Sequence, residues 1–405
     1  MKLFTIRKRP VITLIAGASL LALASCQSVK SPQFSASHDN FPTGVAPFDE
    51  YQAQVKQWIE AERYFVGENP AEEIAMNMPY ECGISNSDTG VLLVHGLGDS
   101  PYFFHDVANA LCKNGVRVRT ILLPGHGTKP GDMLRVSYQQ WQDETDFQLA
   151  SFEKEVNTLY AGGFSTGANL VTVNAFDNDA IAGLLLFSPA YKARFFVSKL
   201  TPYVDSLFVW PNIEKEDNPS RYNSTAMPGF AAYQESVNAL QARFKEQQLD
   251  VPVLMVVAEK DSVVDTHTVA TQFHSKFTSS RKCLLWQGEQ MPMLEGQAAV
   301  ETSNLVLQAM QLPDKSISAA SHMSVLFSES NPLYGTASDF RICDNGQSSE
   351  KEQRCIAGEE VWYGPWGYTD ENHVYARLTY NPYFDELIEN VLALTQEEKA
   401  NHYCL

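Results

Sequence analysis

The sequence predicts an α/β chain: a mostly parallel central sheet with helices on both faces. Short apolar runs rich in Val, Ile and Leu recur at 91–94, 116–123, 158–161, 181–187 and 251–257, and near-continuous apolar strands mark a sheet buried on both sides. Segments with helical spacing lie between them, as βαβ crossovers require. With 405 residues, 44% of them hydrophobic, the chain can also bury a full core. In such sheets ligand chemistry gathers at the carboxyl edge of the strands.

The first 25 residues read as a targeting segment that belongs to no fold. A basic start precedes an apolar stretch over 11–24, shorter than the ~20 residues of a membrane-spanning helix. It ends Leu23-Ala24-Ser25-Cys26, which resembles the lipobox of bacterial lipoproteins. That resemblance implies that Cys26 carries the lipid and becomes the first residue of the mature chain. Cleavage of a plain secretory signal after Ala24 or Ser25 fits the same run. Gln27 follows where an inner-membrane retention signal would have Asp, so the resemblance implies an outer-membrane anchor, on its periplasmic or outer face. Residues 26–47, rich in Ser, Pro, Gln and Asn, read as a flexible tether. The domain then spans 48–405, and Val55, Trp58, Ile59 and Ala61 space a helix over 51–64 that packs on its edge.

Net charge is −18, and removal of Lys2, Arg7, Lys8 and Arg9 leaves about −22. That balance excludes a nucleic-acid partner, which needs basic charge to displace phosphate counterions. Six cysteines remain beside Cys26: Cys82, Cys112, Cys283, Cys343, Cys355 and Cys404. An even set in an exported chain suggests disulfides, with 15 possible pairings, although buried free thiols fit as well. Cys343 with Cys355 is the preferred pair, because the polar stretch from Asp344 to Ser349 cannot order itself by burial. No Cys/His spacing suggests zinc.

The sharpest motif is Gly163-Phe164-Ser165-Thr166-Gly167, directly after the run at 158–161 and before a helical pattern through Leu170, Val171 and Val173. Strand, tight turn and helix are the setting of a nucleophile elbow, whose neighbours must lack side chains and whose helix N-terminus favours developing negative charge. His95-Gly96-Leu97-Gly98-Asp99-Ser100 follows the run at 91–94. An oxyanion hole takes one amide from such a loop and one from the residue after the nucleophile, so Leu97 and Thr166 are the expected donors. His126, in Leu123-Pro124-Gly125-His126-Gly127, is expected to shape its turn. A dinucleotide fingerprint fails because Pro101 and Pro130 stand where it needs Gly, and no Walker sequence occurs.

These motifs together resemble the α/β-hydrolase superfamily over about residues 86–330, and within it the monoacylglycerol lipase and carboxylesterase group with a small helical cap. The resemblance implies a serine, acid, histidine order along the chain. After the run at 251–257, Asp261 matches the acid position. Asp265 is better explained as the N-cap of the next helix, and Glu259 is the weaker alternative. The base must come from His267, His274, His322, His373 or His402. His267 and His274 fall in a surface helix. His322 precedes Met323-Ser324-Val325-Leu326, the pattern of the superfamily's last loop, with His373 behind it.

Two departures accompany this reading. A helical run over 298–310 separates the strand at 282–286 from His322, so either a βα unit is added or the sheet is extended. Residues 331–370 read as an insertion near the site. The aromatic-rich stretch 189–249 reads as the cap, with a pair of core helices as the plainer alternative. The implied function is a serine hydrolase of short- to medium-chain carboxylic or lipid esters, without metal or organic cofactor. Thioester, lysophospholipid or peptide hydrolysis would use the same three residues, and a catalytically silent binding lipoprotein is the rival of another class. The net charge leads one to expect neutral esters to be preferred over anionic lysophospholipids.

Overall fold

The computed structural model describes residues 31–194, 209–292, 294, 304–396, 399, 403 and 404. The targeting segment, Cys26 and His402 lie outside them. Its centre is an eight-stranded sheet in the order β1-β3-β2-β4-β5-β6-β7-β8. The strands are β1 (Glu81–Cys82), β2 (Thr89–Val94), β3 (Arg117–Ile121), β4 (Thr158–Phe164), β5 (Ile181–Phe187), β6 (Val253–Ala258), β7 (Lys282–Gln287) and β8 (Leu305–Gln308). Only β1 runs antiparallel, against β3.

Alternation along each strand sorts the apolar side chains onto two faces. Leu92, Val94, Leu184, Leu186, Met255 and Val257 turn to one cluster, while Val91, Leu93, Leu185, Phe187, Leu254 and Val256 turn to the other. The first face is closed by α4 (Tyr138–Glu153), α5 (Thr166–Asn174), α6 (Met227–Glu246) and α7 (Thr266–Lys276), through Leu149, Val171, Phe244 and Phe273. The second is closed by α3 (His105–Lys113) and α9 (Phe384–Thr395), through Leu111 and Val391. The helices α1 (Phe48–Glu62) and α2 (Pro70–Asn77) precede β1, and Phe48, Tyr51, Val55 and Ile59 of α1 form a smaller cluster with Leu122.

Three expectations from sequence change. The tether expected over 26–47 is docked from Ser31 onward: Phe34 is buried edge-on to Trp210. The Ser37 N–H and hydroxyl donate to Asp132, and the Gly44 N–H donates to Glu144 at 2.8 Å. Partners remote in sequence supply the order that local composition lacks. The helical run expected over 298–310 contains β8 instead, which pairs in parallel with β7 and extends the sheet; residues 295–303 lie outside the described residues. Its apolar residues, Leu305 and Val306 included, are short enough to fit either period.

The stretch 189–249, expected as a cap, divides. Phe195, Phe196, Val197, Leu200, Tyr203, Val204, Leu207 and Phe208 lie outside the described residues. The second half is α6, which packs on α4 and α5 with Ala232, Leu240 and Phe244 in the core. It is the crossover helix between adjacent parallel strands β5 and β6, and such a connection must cover the sheet. The stretch 331–370, expected as an insertion, carries α8 (Ser349–Ile356) and β9 (Trp362–Gly364), which pairs in parallel with β10 (Tyr375–Arg377).

The six cysteines pair as Cys82–Cys112, Cys283–Cys404 and Cys343–Cys355. The third is the preferred pair read from sequence, and it staples α8 to the loop before it.

Candidate active site

Ser165 stands between the end of β4 and the first residue of α5 with φ 54° and ψ −115°, a strained backbone for any residue with a side chain. Its neighbours make the strain sustainable. The Ser165 N–H donates to Phe187 O at 3.0 Å, and its carbonyl accepts from Ala168 and Ala190 at 3.1 and 3.2 Å. A Cβ at Gly163 would lie 2.4 Å from the Ala168 nitrogen, and one at Gly167 would lie 2.0 Å from Val94 O. Both glycines are therefore demanded by close backbone approach, as the elbow reading requires.

After β6, the Asp261 carboxylate is fully buried and bonded on both oxygens. Oδ1 accepts the N–H groups of Val263 and Val264 at 2.7 and 3.1 Å, and Oδ2 lies 2.6 Å from His322 Nδ1. The carboxylate thus assigns the ring proton to Nδ1, leaving Nε2 with its lone pair. The His322 carbonyl accepts from Ser188 Oγ at 2.9 Å, and its ring lies 5.0 Å from that of Phe164, the residue before Ser165. Neither Ser165 Oγ nor His322 Nε2 has a hydrogen-bond partner among the described residues. Bonds of this kind commonly tighten only around a bound substrate.

The other candidates are occupied elsewhere. Asp265 caps α7 by accepting from Thr268 N–H at 3.0 Å and pairs with Lys192. Glu259 accepts from Glu289 and Gln290 N–H groups and pairs with Lys260. Burial raises its pKa, but those donors outweigh burial and leave it below the usual value. His267 is exposed on α7; His274 is half-buried there, with its ring edge-on to Phe273. His373 bonds Asp370 at 2.8 Å and packs on Trp362 of β9.

The loop after β2 lies against the elbow, since a Cβ on Gly96 would approach that of Ser165 to 3.0 Å. The main-chain N–H groups of Leu97 and Thr166 take no partner among the described residues. Two buried imidazoles, not weighed as a pair in the sequence, brace this loop. His95 Nε2 accepts from Leu123 N–H at 3.1 Å, and His126 Nε2 accepts from Gly98 N–H at 3.0 Å. Burial lowers both pKa values, that of His95 to about 4, so both rings are neutral acceptors at neutral pH. Their mutual approach could be suspected only from the shared His-Gly pattern of the two loops.

The mostly parallel eight-stranded sheet, with the glycine-flanked serine and the histidine–carboxylate pair on loops at its carboxyl edge, is the architecture of the α/β-hydrolase fold. The comparisons report what the chain is similar to. A hydrolase family described as serine aminopeptidase S33 matches residues 85–235. The chain is similar to a thermostable monoacylglycerol lipase of Bacillus sp. (strain H-257), 26% identical over 186 residues, covering 44% of this chain and 73% of that one. Among solved structures, it is similar to a soluble variant of monoglyceride lipase from Saccharomyces cerevisiae, with 14% identity and a TM-score of 0.44, covering 52% of this chain and 80% of that one. A monoacylglycerol lipase of Paleococcus ferrophilus gives 19% and 0.42, over 51% and 87%.

Proposed function

We propose that this chain is a serine hydrolase of carboxylic esters that works through an acyl-enzyme. The observation that carries the reading is the His322–Asp261 couple at 2.6 Å, with the His322 ring packed on Phe164, the residue before the strained, glycine-flanked Ser165. In this mechanism Ser165 Oγ attacks the ester carbonyl while His322 Nε2 takes its proton. Asp261 holds the imidazole in the required tautomer and stabilises the imidazolium. The Leu97 and Thr166 N–H groups receive the oxyanion. The imidazolium then returns its proton to the leaving alcohol, and water repeats the sequence to free the acid. The similarity to a monoacylglycerol lipase favours a lipid ester among the substrates. Carriage on a lipid at Cys26 would place the domain at the outer membrane.

A fluorophosphonate probe tests the chemistry. Wild-type protein should be labelled at one site, and Ser165→Ala should abolish both labelling and hydrolysis of p-nitrophenyl butyrate. Equal labelling of the variant overturns the assignment. For the anchor, Cys26→Ser should block palmitate incorporation, and persistent label in the variant would point to another attachment.

A further inference from the structure

The docked residues 31–47 form a strap that reaches the oxyanion loop through buried polar groups. Its main chain crosses the short helix Pro130–Arg135 so closely that a Cβ at Gly131 would meet Ser35 O, C and N at 2.3, 2.4 and 2.5 Å. Only glycine admits the strap there. Arg135 Nη1 donates to Ser37 O at 2.8 Å. The Ser37 N–H and hydroxyl donate to Asp132 Oδ1 and Oδ2 at 2.6 and 2.9 Å, and both residues are buried.

Asp132 leads on to the site. Its Oδ2 also accepts from Thr128 Oγ1 at 2.5 Å, and the Thr128 N–H donates to the Tyr222 hydroxyl at 2.8 Å. Tyr222 then spans two loops. Its hydroxyl donates to Gly125 O at 3.3 Å, its ring lies parallel to that of His126 at 6.3 Å, and its N–H donates to Gly98 O at 2.7 Å. Burial, and then the charge of Asp132, raise the Tyr222 pKa, so the hydroxyl keeps the proton it donates. Gly98 is thus gripped twice, at its carbonyl by Tyr222 and at its N–H by His126 Nε2. The strap supplies two of the three donors that these bonds bring to a buried carboxylate. Undocking it leaves Asp132 short of donors, which costs more in a buried site than in water, so Asp132 must move toward new donors and take Thr128 with it.

We propose that Asp132 is a positioning residue of the reaction and that the strap sets it: by holding Asp132, Thr128 and Tyr222 in series, the docked strap fixes Gly98 and with it the turn that presents the Leu97 N–H. The inference rests on the serine-hydrolase reading above. It makes a segment remote from the elbow in sequence part of the support for the oxyanion, although the strap touches no reacting atom. The other end of the strap serves as an internal contrast, because Gly44 is held by Glu144 of α4, and Glu144 bonds neither Asp132, Thr128 nor Tyr222 among the described residues.

The test measures kcat and KM of the full chain for p-nitrophenyl butyrate per fluorophosphonate-titrated site, together with Ki for a butyl trifluoromethyl ketone. The ketone carbon bonds Ser165 Oγ, the hydroxyl proton passes to His322 Nε2, and the carbonyl electron pair becomes an oxyanion in the hole. Ser37→Ala removes one donor, whereas Gly131→Ala removes no hydrogen bond and only lifts the strap. Each should lower kcat about tenfold, a part of the 10²–10³-fold that a whole oxyanion donor is worth, with KM little changed and Ki raised about tenfold. The double variant should lose no more than either alone, since both undo one docking. Glu144→Gln should keep kcat and Ki within about twofold of the wild type. If both strap variants also stay within that range, if Glu144→Gln loses as much as they do, or if the loss falls on KM alone, the proposal is overturned. A wild type that takes neither fluorophosphonate nor ketone sinks the hydrolase reading itself, whereas a labelled and inhibited wild type with unmoved strap variants sinks only this inference.

Discussion

His126 Nε2 accepts the Gly98 main-chain N–H at 3.0 Å, while its Nδ1 lies 3.2 Å from the carbonyls of Leu123 and Pro124. A buried ring from the loop after β3 thereby fixes the turn that presents the Leu97 amide. His126→Ala leaves that N–H buried and unpaired, at about 1–3 kcal/mol in stability. We expect kcat to fall about 10–100-fold with KM little changed, since the displaced amide acts on the transition state. Steady-state kinetics with p-nitrophenyl butyrate checks this, and a change confined to KM would contradict it.

Asp261→Asn keeps an oxygen for Val263 and Val264 but turns an amide N–H₂ toward His322, forcing the proton onto Nε2. The expected loss is about 10³–10⁴-fold in kcat. Glu259→Gln, on the same loop, serves as the comparison and should cost less than about tenfold in kcat. If the two variants lose activity equally, the acid has been misassigned.

Gly167→Ala places a methyl 2.0 Å from Val94 O and 2.5 Å from His95 O. Both contacts are backbone and cannot yield, so the variant should lose more than about 4 kcal/mol or fail to fold. Gly358→Ala is the control: at φ +87° with nothing within 4 Å, it should cost about 1–2 kcal/mol from backbone conformation alone. Thermal unfolding of both variants reads the difference.

Acid should destabilise the fold partly through His95. Its pKa falls from the ordinary 6.5 to about 4 because burial disfavours the imidazolium. Above pH 6.5 the folded and unfolded chains both hold it neutral, so it adds no pH dependence. Between 6.5 and about 4 the unfolded chain takes up a proton that the folded chain refuses, and stability drops by about 3 kcal/mol across that window. Asp99 opposes this, because burial raises its pKa to about 6, but it does so equally in wild type and His95→Asn. Urea unfolding at pH 7 and 4.5 should therefore show a shallower loss in His95→Asn, and parallel losses would refute the account.

Much of the fold was legible because its signals are local. Buried parallel strands announce themselves as apolar runs, and the run at 158–161 followed by Gly163, Ser165 and Gly167 marks the elbow within ten residues. The N-cap role of Asp265 was readable for the same reason. Where a segment's order depends on remote partners, composition misled. The polar residues 31–47 are held by Asp132, Glu144 and Trp210, and β8 is a strand because β7 offers it an edge.

The sequence by itself determined which residue types meet at each turn: the glycines that permit the Ser165 backbone, the β-branched runs, and a short list of acids and histidines in the right order. Only the tertiary structure decided among that list. Asp261 and His322, 61 residues apart, meet at 2.6 Å, while Glu259, Asp265 and His373 are bound by other partners. It also chose three disulfides from six cysteines and set Ser37 against Asp132, 95 residues along the chain. The division has one physical cause. Backbone conformation is set by neighbours a few residues away, whereas juxtaposition across a parallel sheet is set by strand order and crossover packing, which no stretch of sequence encodes alone.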